Sequence, residues 1–235
     1  PWRSLLGLAL GMFALTACAV FVGRAAVEER REAILSATSL RLEALAHGRA
    51  EVLATWIEGV AALGRRLTRS ELVQLFTTEL ALARGLEPLP EPLREQMPYM
   101  RQIMDDLARQ GDLIGVYLVD ADGRLLLADA AAPPLGEKAA QAAAEAARAA
   151  VDVRLGAPAA MGDHLVADLV MAVPAPQADL ALEPAPAVAL VLRVAADLRL
   201  GRLLSPGPLD LPGETVRVRL ADGRIVEATS DDGIR

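Results

Sequence analysis

Five polar-tipped side chains stand where they could meet a bound molecule: Tyr99, Arg101, Tyr117, His164 and Asp168. The guanidinium of Arg101 is the natural bidentate clamp for a carboxylate, and it serves equally as one half of a helix-surface ion pair. Tyr117 lies in an apolar run, where its hydroxyl either enters a cavity or bonds to backbone inside a core. Asp168 interrupts another apolar run, so its carboxylate faces solvent on the strand alternation or meets an amine in a pocket. His164, beside Asp163 in a loop, reports pH near neutrality, hydrogen-bonds a ligand, or is a plain surface histidine. None of these is spaced as a catalytic set. The chain lacks Gly-x-Ser-x-Gly, Gly-x-x-x-x-Gly-Lys and His-Glu-x-x-His, so no enzymatic activity is expected within residues 1–235. One cysteine, Cys18, and two well-separated histidines, His47 and His164, build neither a disulfide nor a metal cluster, and no metal or cofactor is expected.

The composition narrows the partners. With 53% hydrophobic residues in 235 the chain buries a real core, and with only 3% aromatic residues that core is aliphatic. Platforms for stacking bases are therefore scarce. A formal charge of −7 also removes the counterion release on which phosphate-backbone binding depends, so nucleic acid is not expected as a partner.

Ser4 to Gly23 carries no charge, and as a helix it reaches about 30 Å, the hydrocarbon thickness of a bilayer. This stretch, with Arg3 before it and the charged run Arg24 to Glu32 after it, reads as a transmembrane helix. The lysine and arginine bias does not settle its orientation. Leu15-Thr16-Ala17-Cys18 also resembles a lipoprotein cleavage box, which would make the chain a lipoprotein binding module lipidated at Cys18. Against that, Ala19-Val20-Phe21-Val22 continues the apolar run.

The elements that position the polar groups follow from periodicity. Val52, Trp56, Val60, Leu63 and Leu67 recur in steps of three or four, predicting one long amphipathic helix that continues from the membrane. Its apolar stripe is longer than one sheet can cover, so a homodimer contact is expected there. Thr68-Arg69-Ser70-Glu71 fits a capping box for a second helix that Gly85 stops. Pro88, Pro90, Pro92 and Pro98 predict a loop or broken turns, followed by a helix from about Tyr99 to Gln110. Leu113 to Val119 and Arg124 to Ala128 form a hairpin around Asp120-Ala121-Asp122-Gly123. An alanine-rich helix spans Glu137 to Ala150, strands span Val151 to Leu155, Leu165 to Val173 and Ala187 to Val194, and a short helix spans Asp197 to Leu204.

Val116 to Ala128 aligns without gaps to Val216 to Ala228, both centred on Ala-Asp-Gly-Arg. The order of elements between the two copies resembles the double Cache domain, the PAS-like extracytoplasmic sensor of bacterial receptors. The resemblance is carried by Asp112 to Arg124, Val188 to Leu198 and Gly213 to Arg224, and covers most of Arg24 to Arg235. It implies an α+β fold: a transmembrane helix (1–23), a long helix and looped helical region (24–110), a membrane-distal module with a five-stranded antiparallel sheet flanked by helices (111–205), and the opening hairpin of a truncated membrane-proximal module (206–235). It further implies a small-molecule ligand between the sheet and the helix before its first strand, bringing Pro98 to Asp106 towards Tyr117. The function implied is the sensing region of an inner-membrane receptor, held on the periplasmic or extracellular side. Its cytoplasmic output, of kinase, cyclase or chemoreceptor type, is expected after Arg235. The Arg-x-Trp-Tyr cluster of amino-acid-binding members is missing near Tyr99.

Overall fold

A computed structural model of the chain describes the backbone of residues 2–86, 88–162, 164–176, 187–197, 216–219, 225–229 and 233–234. Side chains are described for 21, 23, 24 and, within those bounds, 27–197. The chain divides into two compact units, Pro1–Val52 and Leu53–Arg235.

From Trp2 the first unit is helical, the opening part of α1 (Trp2–Thr68). Ser36, Thr38 and Ser39 bond back onto the preceding turn, Thr38 by donating to the carbonyl of Ile34 at 2.8 Å. Ile34, Leu35, Leu40, Leu42 and Val52 are exposed within it. Among the described residues no helix is long and apolar enough to cross a membrane. The span expected over Ser4 to Gly23, with Cys18, is helical as the start of α1, and its side chains lie almost wholly outside those described; the fold observed is α+β.

In the second unit the remainder of α1 turns Val60 and Ala61 into the core, flanked by half-buried Trp56, Leu63 and Leu67. The helix comes close to the sheet at Gly64, where a Cβ would lie 2.5 Å from Met171 Cε and 2.9 Å from Leu192 Cδ1. The expected capping box does not form. Helix α2 (Glu71–Leu82) starts after Ser70 without a side-chain cap, and the Thr68 hydroxyl donates instead to the carbonyl of Arg65. Helix α3 (Glu91–Gly111) starts eight residues earlier than expected, because Pro92 falls in its first turn, where no amide partner is lost. Pro98 is carried inside it, and Asp112 closes it at φ 51°.

The main sheet is antiparallel, in the order β2 (Leu125–Ala128), β1 (Gly115–Asp120), β6 (Val188–Ala195), β5 (His164–Val173), β3 (Arg154–Leu155). A further short strand, β4 (Ala159–Met161), also pairs with β5, so five positions lie side by side. Only two residues of the expected Val151 to Leu155 strand pair, since Ala150 takes a left-handed φ of 49° and Val151 closes helix α4 (Glu137–Arg148) by donating to Ala146. Alternation along β1 gives the sheet two different faces. Val116 and Leu118 pack with α1, α2 and α3, whereas Tyr117 and Val119 pack with the alanines of α4.

The two Asp-Gly hairpins both form. Gly123 takes φ 81° in the first, and β7 (Val216–Arg219) pairs with β8 (Ile225–Thr229) in the second, with β9 (Gly233–Ile234) beyond. Their turn-side pairs are equivalent, Val119 with Leu125 and Arg219 with Ile225. The first hairpin then shifts by one residue at a bulge that the second lacks. Most of the helix expected over Asp197 to Leu204, and the second turn itself, lie outside the described residues.

Candidate ligand-binding site

The chemistry of the second unit gathers on the α4 face of the sheet. Asp168 on β5 and Arg193 on β6 are directly opposed in the ladder, and their side chains share that face with Tyr117, which is paired with Val191 on the neighbouring strand. Arg193 Nε donates to Asp168 Oδ1 at 2.8 Å and Nη2 donates to Oδ2 at 2.9 Å. Its Nη1 donates to the carbonyl of Pro134 at 3.4 Å, and the guanidinium carbon lies 5.3 Å from the centre of the Tyr117 ring. The Tyr117 hydroxyl in turn donates to the carbonyl of Pro133 at 2.7 Å. Gly115 makes this arrangement possible, because a Cβ there would stand 2.5 Å from the Tyr117 oxygen.

Burial is nearly complete: the Arg193 side chain is 5% exposed and that of Asp168 is 16% exposed. The Asp168 carboxylate holds the Arg193 guanidinium above its ordinary pKa against the opposing pull of burial. Burial likewise pushes the Tyr117 phenol above its ordinary range, only partly offset by Arg193, so it stays neutral at physiological pH.

Beside this pair α4 and β5 together wall a hollow on the same face of the sheet. A cavity of about 700 Å³ opens there between α4, the Pro134 to Gly136 approach, and the β3–β4 connection. Asp168 and Arg193 lie against its wall, Lys138 stands at its rim, and the remaining lining is glycine, alanine, proline, valine and Met161. Such an apolar concavity with a few convergent polar groups is where a small molecule is held in most proteins that bind one. A second hollow of about 490 Å³ lies between α3 and the loop after β2. Asp105 and Asp129 there accept amides of that loop and of β1, which ties the carboxylates into the fold.

The predicted site residues do not converge. Tyr99 is 57% exposed and Arg101 is also exposed, both on the outer side of α3. That helix packs on the Val116 and Leu118 side of β1, so the expected meeting of Pro98 to Asp106 with Tyr117 fails because strand alternation points Tyr117 the other way. Tyr117 is a core tyrosine bonded to backbone. His164 Nδ1 lies 2.9 Å from Asp197 Oδ2, half exposed and not part of the cavity lining. Of the five, only Asp168 lines the cavity, and its partner there is an arginine of the chain itself. Sequence reasoning missed Arg193, although it is the one charged residue in the eight-residue strand Val188–Ala195. Lys138 carried no signal, being one of four charged residues spread along an alanine-rich helix.

Neither a family model nor a curated protein matches the chain. Solved structures do. The ligand-binding domain of the Pseudomonas fluorescens chemoreceptor CtaA in complex with L-isoleucine matches with a TM-score of 0.43 and 17% identity, over 75% of this chain and 62% of that one. The ligand-binding domain of the Campylobacter jejuni chemoreceptor Tlp3 in complex with 4-methylisoleucine matches with a TM-score of 0.40 and 14% identity, over 77% and 69%. A domain assigned to the sensory box/GGDEF family of Vibrio parahaemolyticus matches with a TM-score of 0.36 and 16% identity, over 73% and 69%. The chain thus spans less than two thirds of the CtaA domain. The structures it matches are ligand-binding domains of chemoreceptors and a domain of a sensory box/GGDEF family protein.

Proposed function

We propose that this chain is the ligand-sensing region of a bacterial membrane receptor, and that it binds a small molecule in the cavity between α4 and the sheet. The observation that carries the reading is that cavity itself: about 700 Å³ of largely apolar space walled by a buried, fully bonded Asp168–Arg193 pair. A rigid polar wall in an apolar hollow orients a ligand without having to be organised at the moment of binding. Ligand occupancy acts on a receptor only through a difference in affinity between two conformations, and the strands that wall the cavity, β5 and β6, also seat α1 through Met171 and Leu192.

In this reading the uncharged stretch Ser4 to Gly23 anchors the chain in the inner membrane with the sensor outside the cytoplasm, and the exposed apolar residues Ile34, Leu35 and Leu42 of α1 meet a second copy. A thermal-shift screen of the full chain in detergent against a metabolite library tests the ligand reading. At least one compound is expected to raise the melting temperature, and Ala142→Phe, which fills the cavity from α4, is expected to remove that rise. A library in which every stabilising compound is indifferent to Ala142→Phe would sink the assignment of the site. Cysteine cross-linking at positions 35 and 42 in membranes tests the dimer, which is lost if only monomers are trapped.

A further inference from the structure

We infer that the cavity takes an aliphatic monocarboxylate that bears no ammonium group, because the chain supplies its own cation to the acid in its wall. This rests on the reading of the cavity as the ligand site and adds the ligand's chemical class.

Among the described residues three charged side chains line the cavity, Lys138, Asp168 and Arg193. The last two neutralise each other through two parallel hydrogen bonds, a geometry that engages both carboxylate oxygens. All three guanidinium nitrogens are engaged, Nη1 with the carbonyl of Pro134 and, at 3.9 Å, with the sulfur of Met161. A ligand ammonium directed at Asp168 would therefore compete with an intramolecular, preorganised bidentate partner. It would also sit beside two positive charges, at a cost that rises as water is excluded. What remains unneutralised in the described lining is Lys138 at the rim, which gives those lining residues a net charge of +1.

That residual charge selects an anion. Helix α4 begins at this rim: Gly136, Lys138 and Ala139 of its first turn line the cavity, while Glu137, the acidic residue of that turn, does not. Past the rim the wall is alanine, proline and valine, which favours an alkyl body over further polar groups. The fit is a carboxylate at Lys138 with its chain lying over Val166 and Val170.

The test uses pairs that differ only in the ammonium group: hexanoate against L-norleucine, and 4-methylpentanoate against L-leucine, titrated calorimetrically into the full chain in detergent. The carboxylates are expected to bind and each amino acid to bind at least tenfold more weakly. Lys138→Gln, an exposed change that spares the core, is expected to weaken the carboxylates about tenfold, and Ala142→Phe to abolish their binding. Amino acids that bind as tightly as their deaminated partners would overturn the inference, as would carboxylate binding indifferent to Lys138→Gln, or no carboxylate binding. Hexylamine and hexanamide complete the panel. If either binds in a manner removed by Ala142→Phe while the carboxylates do not, the ligand class falls and the cavity reading stands. If neither they nor any library compound responds to Ala142→Phe, both fall.

Discussion

Asp168 and Arg193 face each other across β5 and β6 as ladder partners, and each oxygen of the carboxylate accepts one N–H of the guanidinium, at 2.8 and 2.9 Å. The same guanidinium lies over Tyr117, whose neighbours on this face are Val119, Val170, Ala189 and Val191. A charged pair inside such apolar surroundings adds little net stability, because the desolvation of both groups offsets their attraction. Its worth is in orientation: it sets one arrangement of β5 against β6 at the wall of the cavity.

Removing one partner leaves the other buried and unpaired, so Asp168→Asn is expected to lower the unfolding free energy by on the order of 3 kcal/mol. Replacing both by apolar groups of similar volume, Asp168→Leu with Arg193→Met, is expected to recover most of that loss. Urea midpoints of the single and double variants measure this. A double variant no more stable than Asp168→Asn would show that the ion pair itself carries stability.

Tyr117 depends on the missing side chain of Gly115. Tyr117→Phe removes only the bond to the Pro133 carbonyl, at a cost of about 1 kcal/mol. Gly115→Ala places a Cβ 2.5 Å from the phenol oxygen and is expected to cost about 2–3 kcal/mol, since ring and guanidinium must both move. Thermal melts separate the two. A Gly115→Ala protein as stable as the parent would mean that the ring has another place to go.

Much of this was legible in the residues and some was not. The first hairpin, α4, β5 and β6 were readable because turn chemistry and apolar period agree there. The start of α3 was not, since Pro92 and Pro98 argue against a helix unless one knows that the first falls in its opening turn. The strand β4 is too short to announce itself. The site was missed for a sharper reason. Asp168 and Arg193 are each the lone charge within a strand run, but only the register of β5 on β6 makes them partners, and register is set by long-range pairing. The family resemblance directed attention to α3, whereas the alternation of β1 turns Tyr117 to the opposite face.

Acid should unlock the first hairpin. Burial pushes the Asp120 carboxyl upward, but the amides of Arg124 and Asp122 and the guanidinium of Arg84 together outweigh it and hold its pKa below the ordinary aspartate value. A folded-state pKa below the unfolded one means that the unfolded chain binds more protons as pH falls, so this contribution is present in full above the ordinary aspartate value of about 3.9 and is lost progressively below it. Asp120→Asn is expected to lower stability at pH 7 by about 2 kcal/mol and to flatten the acid limb of the stability profile. Urea unfolding between pH 3 and pH 7 reads both, and an unchanged acid limb would remove Asp120 from the account.

Gly64 and Met171 should prove coupled in a way that distant residues are not. A Cβ at Gly64 would fall 2.5 Å from Cε and 2.6 Å from Sδ of Met171, a buried side chain with flexible ends, and 2.9 Å from Leu192 Cδ1. Alanine gains about 1 kcal/mol of helix propensity over glycine, and Met171 can swing aside, so Gly64→Ala is expected to be near neutral. Gly64→Val adds a branched group that neither neighbour can escape and is expected to cost about 2–3 kcal/mol. Met171→Ala alone opens a cavity at a cost of about 2–4 kcal/mol. Combined, the valine fills part of the space that the methionine vacates, so the double variant is expected to lose at least 1 kcal/mol less than the two losses added together. Chemical denaturation of the four proteins in the cycle measures the difference. Strict additivity would mean that α1 does not sit on β5 and β6 at this point, and with it would go the route by which a change at the cavity wall reaches the long helix.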